Sequence, residues 1–333
     1  MRLTSKFICF DLEGPLAPQD NAYELMKLFP NGDRIFEVIS RYDDLLTLEE
    51  KKGYEPGDTL ALIVPFLILH NISEANISTL AAEASLTGGA HKLISQLQHS
   101  GWRIFCISTS YEQYAIHITQ KLGIYAHNVA CTLFPLNKLR TTLCQEDQKL
   151  LQQAEADILK MRPVADDKRI KQSLDKLFWQ KMPATDLGMA ISQVKPVGGR
   201  RKVAALTRFA GAYDQPLSGW AVVGDSITDF RMLQAVEAAN GLAIVFNGNE
   251  YALPYATMGL ASTLISDLIE VLEAWQKGGR DGVEKLVRQK EKAGGAGDRG
   301  YFHWLSGRKN IDEVIKIHKR IRKLVREEAG KLG

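Results

Sequence analysis

Phe7-Ile8-Cys9-Phe10-Asp11-Leu12-Glu13-Gly14-Pro15 is the stretch from which the fold is read. Its first residues are apolar or β-favouring, the composition of a buried strand, and the run stops at Gly14-Pro15, where a sheet ladder cannot easily continue. Two carboxylates, Asp11 and Glu13, therefore stand at the strand's carboxyl end. In an open α/β sheet that end is where ligands bind, so the pair suits metal or phosphate chemistry. The plain alternative is a strand running into an acidic turn.

Three later stretches bear on that choice. Arg103-Ile104-Phe105-Cys106-Ile107 reads as a strand ending in Ser108-Thr109-Ser110, and Trp220-Ala221-Val222-Val223 as one ending in Gly224-Asp225-Ser226-Ile227-Thr228-Asp229. Lys202 opens a helical pattern between them. With the first stretch, this set resembles the haloacid dehalogenase superfamily of phosphatases and phosphotransferases. That superfamily is marked by an Asp-x-Asp strand end, a Ser/Thr strand end, a lysine and a Gly-Asp-x-x-x-Asp loop, in this order. The resemblance spans residues 7–15, 88–135 and 195–272. Glu13 stands where the second Asp is usual, but a branch that includes phosphoserine phosphatase and its phosphotransferase relatives also reads Asp-Leu-Glu-Gly.

The resemblance implies a fold and a site. The fold is α/β, a doubly wound parallel sheet whose core takes residues 1–15 and 88–277, with a helical insert at about 136–181, a helical cap at 16–87 and a helical, basic C-terminal extension at 278–333. Asp11 would be the nucleophile of a phosphoric monoester hydrolase, forming an aspartyl phosphate; Mg²⁺ would be held by Asp11, the Glu13 carbonyl, Asp225 and Asp229. Ser108 and Thr109 would bind the phosphoryl group, Lys202 would add positive charge to it, and Glu13 would serve as general acid and base. Lys195 competes for the lysine role, and the branch's spacing before Asp225 favours Lys202. Asp20, nine positions after Asp11, matches an acid that faces the substrate amine in that branch, although a turn or helix cap would use it equally. The implied substrate is a small phosphorylated metabolite. Transfer to an acceptor other than water, and a non-catalytic subunit with this fold, are the alternatives.

Composition agrees with a globular protein of about two domains: 333 residues, 45% hydrophobic and 24% charged. A net charge of +3 gives no argument for nucleic acid, and the longest apolar run, Leu60 to Leu69, is too short for a bilayer and contains Pro65. Cys9, Cys106, Cys131 and Cys144 are scattered and read as reduced thiols, which suits the cytoplasm. Helices are expected at Ala22–Phe29, from an Asp33 cap to about Leu46, from an Asp58 cap through Thr59–His70, and at Ser73–Ala84. The charged insert carries no recognisable chemistry and reads as a solvated helical hairpin. Gly295-Ala296-Gly297-Asp298-Arg299-Gly300 spells a dinucleotide-type glycine pattern but follows a charged helix, not a strand, so it fails its own context. The last helix, opened by Asn310 and Glu313, sets Ile311, Val314, Ile315, Ile321, Leu324 and Val325 on one side. Lys316, Lys319, Arg320, Lys323 and Arg326 form a basic face, solvated or docking an acidic protein partner.

Overall fold

The structure, a computed structural model, describes residues 6–326. Its first strand, β1 (Phe7–Phe10), is covered on both faces: Ile8 and Phe10 pack into one hydrophobic cluster and Cys9 into the other. The chain then leaves the sheet for the cap helices α1 (Asn21–Met26), α2 (Gly32–Leu48), α3 (Thr59–Leu62), α4 (Val64–Leu69) and α5 (Glu74–Glu83). Asp20 caps α1, accepting the Tyr23 N–H at 2.9 Å, and Ser73 with Asn76 makes a capping box for α5. The single helix expected over Thr59–His70 is broken at Ile63, just before Pro65, whose nitrogen cannot donate to a continuing ladder. Asp58 stands at the N-cap of α3, as expected, but its side chain makes no capping bond; its carboxylate accepts the Glu55 N–H at 3.0 Å and pairs with Arg201.

Helix α6 (Ala90–His99) returns the chain to β2 (Arg103–Tyr111). The strand runs through Ser108-Thr109-Ser110, as expected, and one residue beyond to Tyr111, with a register shift between Ile107 and Tyr111. The hydroxyl-rich segment remains in the sheet because it is hydrogen-bonded there: Thr132 donates to the Thr109 carbonyl at 2.6 Å. After α7 (Glu112–Lys121) and β3 (Val129–Thr132) come α8 (Leu136–Leu139), α9 (Gln145–Ile158), α10 (Asp167–Lys176) and α11 (Asp186–Ile191). This insert is not a solvated hairpin. Leu151, Ile158, Ile170 and Leu174 are buried in the same cluster as the cap residues, Arg41 of α2 pairs with Asp167 at 2.7 Å, and Tyr42 donates to Asp175 at 2.6 Å. The insert and the helices of 16–87 thus pack as one layer over the sheet's end.

The remaining elements are α12 (Arg200–Ala212), β4 (Trp220–Gly224), α13 (Phe230–Ala238), β5 (Leu242–Phe246), β6 (Met258–Ala261), α14 (Ile269–Ala293), β7 (Tyr301–Trp304) and α15 (Asp312–Arg326). The seven strands lie in the order β3-β2-β1-β4-β5-β6-β7, all parallel except β7, which runs antiparallel to β6. Phe10 aligns with Cys106 on one side and Val223 on the other, so β1 lies at the point where the strand order reverses, the usual ligand crevice of a doubly wound sheet. The C-terminal extension is helical and also supplies β7 as an edge strand. Gly279 (φ 58°) breaks α14 close to the expected end of the core, and the chain resumes as helix beyond it. The Gly295–Gly300 segment is a turn into β7, closed by a bridge between Ala296 and Arg299. Among the described residues no single helix is long and apolar enough to cross a membrane.

Candidate active site

Asp11 leaves β1 while still in the ladder, donating its N–H to the Val223 carbonyl at 2.8 Å. Its Oδ1 accepts the Leu12 N–H at 2.8 Å and lies 2.7 Å from Lys202 Nζ. Lys202, in the first turn of α12, is 0% exposed and also sits 2.7 Å from Asp229 Oδ1. Burial alone would lower its pKa, but the Asp11 and Asp229 carboxylates overcome that and keep it an ammonium. Lys195, the competing lysine, lines a separate apolar cavity with Tyr54, Trp179 and Met189. Burial, and next the Asp229 carboxylate, raise Asp11 well above the usual carboxylate range, against the pull of Lys202.

The loop after β4 is built on its own carboxylates. Asp229 Oδ2 accepts the N–H groups of Asp225 at 3.0 Å and Ser226 at 3.2 Å, which fixes Asp225 beside Asp11. One carboxylate oxygen each from Asp11, Asp225 and Asp229 lie within 4.8 Å of one another. Gly14 (φ 98°) lets the first loop approach: a Cβ there would fall 2.3 Å from Asp225 Oδ2. Asp225 Oδ1 is buried and has no hydrogen-bond partner among the described residues, a cost that a hard cation removes. Three carboxylates, one of them carrying this orphaned oxygen, fit a divalent, oxygen-seeking metal.

Glu13 and Asp20 border the same cleft. Glu13 Oε1 accepts the Asn21 N–H at 2.8 Å, and the Ser110 hydroxyl lies near it without a formed hydrogen bond. Burial, then the neighbouring Asp20 carboxylate, push Glu13 up to about 7. Asp20 therefore does two things: it caps α1 and it lines the cleft. Ser108 is fully buried two residues past Cys106, with its hydroxyl accepting the Ser110 N–H at 3.1 Å; Thr109 lines the cleft and donates to the Val197 carbonyl at 3.1 Å. The cap closes the opposite side with Asp43 and Asp44. Burial pushes Asp43 up to about 7 despite the Tyr54 hydroxyl that donates to it, and Asp44 to about 6.

Two arginines complete the site and were not foreseen. Arg322 and Arg326 of α15 both reach Asp225 Oδ2, Arg326 at 2.9 Å, and Arg326 Nε also donates to the Pro18 carbonyl at 3.0 Å. Arg326 is thus not part of a solvated basic face, as its helical position suggested, but is buried against the site. The spacing held a signal: Val314, His318, Arg322 and Arg326 recur every four residues and lie buried on one face. His318 anchors that face by accepting the Gly248 N–H at 3.1 Å. Of the outward basic residues, Lys316, Lys319 and Arg320 pair with Glu313, Glu250 and Asp298.

The sheet order and the cap inserted after β1 give the chain a fold like that of solved phosphoserine phosphatases. The chain is similar to the gene product AF1437 from Archaeoglobus fulgidus, with a TM-score of 0.85 and 27% identity over 99% of both chains. It is also similar in fold to a probable phosphoserine phosphatase from Vibrio cholerae, with a TM-score of 0.50 and 15% identity over 85% of this chain and 69% of that one. No protein-family model and no curated protein matches the chain.

Proposed function

We propose that the chain is a Mg²⁺-dependent phosphatase that hydrolyses a small phosphomonoester through an aspartyl phosphate on Asp11. The observation that carries this reading is Lys202, held at 2.7 Å from both Asp11 and Asp229 at the head of the sheet's switch point. Asp11, the Glu13 carbonyl and Asp225 would hold the metal, with Asp229 behind them; when bound, it supplies charge neutralisation for a dianionic phosphate approaching a carboxylate.

The residues divide the work as follows. Both fixed contacts of Asp11 fall on Oδ1, leaving Oδ2 to form the bond to phosphorus as the ester P–O bond breaks. Ser108 and Thr109 receive the phosphoryl oxygens, and Lys202 offsets their charge. Glu13, near the midpoint of its titration at neutral pH, gives its proton to the departing alkoxide and then takes one from the water that attacks the aspartyl phosphate, releasing inorganic phosphate and Asp11. Asp20, Asp43 and Asp44 line the leaving-group side, an environment that favours a cationic substituent on the alcohol.

A panel of phosphorylated metabolites, assayed with Mg²⁺ and after chelation, tests the reading, with mass spectrometry of acid-quenched protein to locate the phosphoryl group. Metal-dependent phosphate release with a phosphorylated Asp11 is expected. Turnover only with an added alcohol would indicate phosphotransfer. Complete inactivity of folded protein across the panel would sink the enzymatic reading and favour a binding role.

A further inference from the structure

The innermost charges of the site balance without any ligand. Asp11, Asp225 and Asp229 supply three carboxylates; Lys202, Arg322 and Arg326 supply three cations, each in direct contact with at least one of them. The two arginines share a single oxygen, Asp225 Oδ2, so the other oxygen, Oδ1, is left without a partner among the described residues, in a carboxylate that lies beside those of Asp11 and Asp229. This placement is fixed by α15, because Arg322 and Arg326 are one and two turns beyond His318, which is bonded to the backbone of Gly248.

We infer that Arg322 and Arg326 make metal binding depend on phosphate binding. A divalent cation entering among three carboxylates and one lysine would bring that set to neutrality by itself. With the two arginines present it leaves an excess of two positive charges within that inner set, which the nearby Glu13 and Asp20 carboxyls offset only in part, and a phosphate dianion removes the excess. Metal and phosphate therefore enter as a neutral pair, each raising the affinity for the other by the same factor. The arginines are positioning residues acting through Asp225; they occupy its Oδ2, which leaves Oδ1 free, and set the charge against which the metal binds. The inference rests on the phosphate-binding reading of this cleft and adds the coupling between its two ligands.

The test measures binding, not turnover. Mn²⁺, followed by its EPR signal, is titrated into the full chain with and without saturating inorganic phosphate. Phosphate is expected to tighten Mn²⁺ binding about tenfold or more, and Mn²⁺ to tighten phosphate binding equally, in the range of ordinary coupling between sites. Arg326→Met should tighten Mn²⁺ binding in the absence of phosphate and shrink the coupling to a few-fold, while Arg326→Lys, which keeps the charge, should preserve it. Arg322→Met is more buried, so Arg326 carries the test and circular dichroism checks folding of both. Unchanged coupling in a folded Arg326→Met protein overturns the inference and leaves the phosphatase reading standing. Absence of Mn²⁺ binding by the unmodified chain, with and without phosphate, overturns both.

Discussion

Replacing Glu13 by Gln tests the proposed chemistry where the structure makes it most specific. At pH 7 a carboxyl titrating at about 7 is roughly half protonated, whereas one at the ordinary 4.5 would be about 0.3% protonated, so its surroundings enrich the acid form by roughly 150-fold. Gln keeps the oxygen that accepts the Asn21 N–H but can neither give nor take the proton. Turnover of an alkyl phosphate should fall by about 10²- to 10⁴-fold, and release of a nitrophenolate, which departs without a proton, should fall far less in the step that forms the aspartyl phosphate. Single-turnover rates on the two substrates, measured from pH 5 to 9, make the comparison. For the alkyl ester the unmodified protein should lose that step above about pH 7, and the variant should lack this limb.

Stability should move the other way. Because Glu13 is raised on folding, the folded chain retains a proton that the unfolded chain has lost between pH 4.5 and about 7, so stability falls as pH rises through that window. Gln removes the penalty, and at pH 8 the variant should be more stable by up to about 3 kcal/mol in denaturant unfolding. Equal rates for both proteins on both esters, with the same pH profile, would refute the assignment of Glu13 as the acid.

Other substitutions probe the framework. Lys202→Met strands two buried carboxylates and should cost about 3–5 kcal/mol with loss of turnover, whereas Lys195→Met, in its separate cavity, should leave turnover near the unmodified rate; urea unfolding and steady-state assays decide. Gly14→Ala forces an unfavourable φ and a Cβ onto Asp225, so it should destabilise by about 1–3 kcal/mol and weaken Mn²⁺ binding, and an alanine variant with native metal affinity would contradict the geometry. Asp58→Asn weakens the Arg201 pair that ties the cap to the start of α12; amide exchange in residues 55–62 should quicken while the sheet's exchange stays unchanged.

How much could be read from residues alone follows from where each signal originates. The strand ends were legible because a buried parallel strand writes itself as an apolar run, and polar residues at its carboxyl end face the crevice wherever the chain goes next; Asp11, Ser108 and Asp225 are of this kind. Lys202 was legible as the start of a helix at a familiar spacing, but only the fold separates it from Lys195. β6 and β7 were missed because four apolar residues such as Met258–Ala261 carry no periodicity, and Tyr301–Trp304 follows a glycine-rich turn within a charged tail. The insert's packing was hidden because its helices are amphipathic and highly charged, and their contacts with α2 include ion pairs and hydroxyl bonds of the sort a solvated surface also makes. Arg322 and Arg326 were the hardest: their four-residue spacing after Val314 and His318 marks them as sharing a buried face, but nothing local says that this face meets a carboxylate about a hundred positions earlier.

That last pair changes what the site's energetics mean. Six ionisable side chains packed at the carboxyl end of the sheet are individually costly to bury as charges, each carrying a desolvation penalty of several kcal/mol that its partners only partly recover, so the group is weak evidence for stability. Apolar residues of similar volume would hold β1, β4 and α15 together at least as well. The arrangement is instead selective. It leaves one oxygen, Asp225 Oδ1, without a partner among the described residues, while the arginines hold Oδ2 and Asp229 accepts the Asp225 N–H. The unpartnered Asp225 Oδ1 suits the proposed cation, and it is the docked C-terminal helix, by occupying Oδ2 with both arginines, that decides which oxygen is left for it.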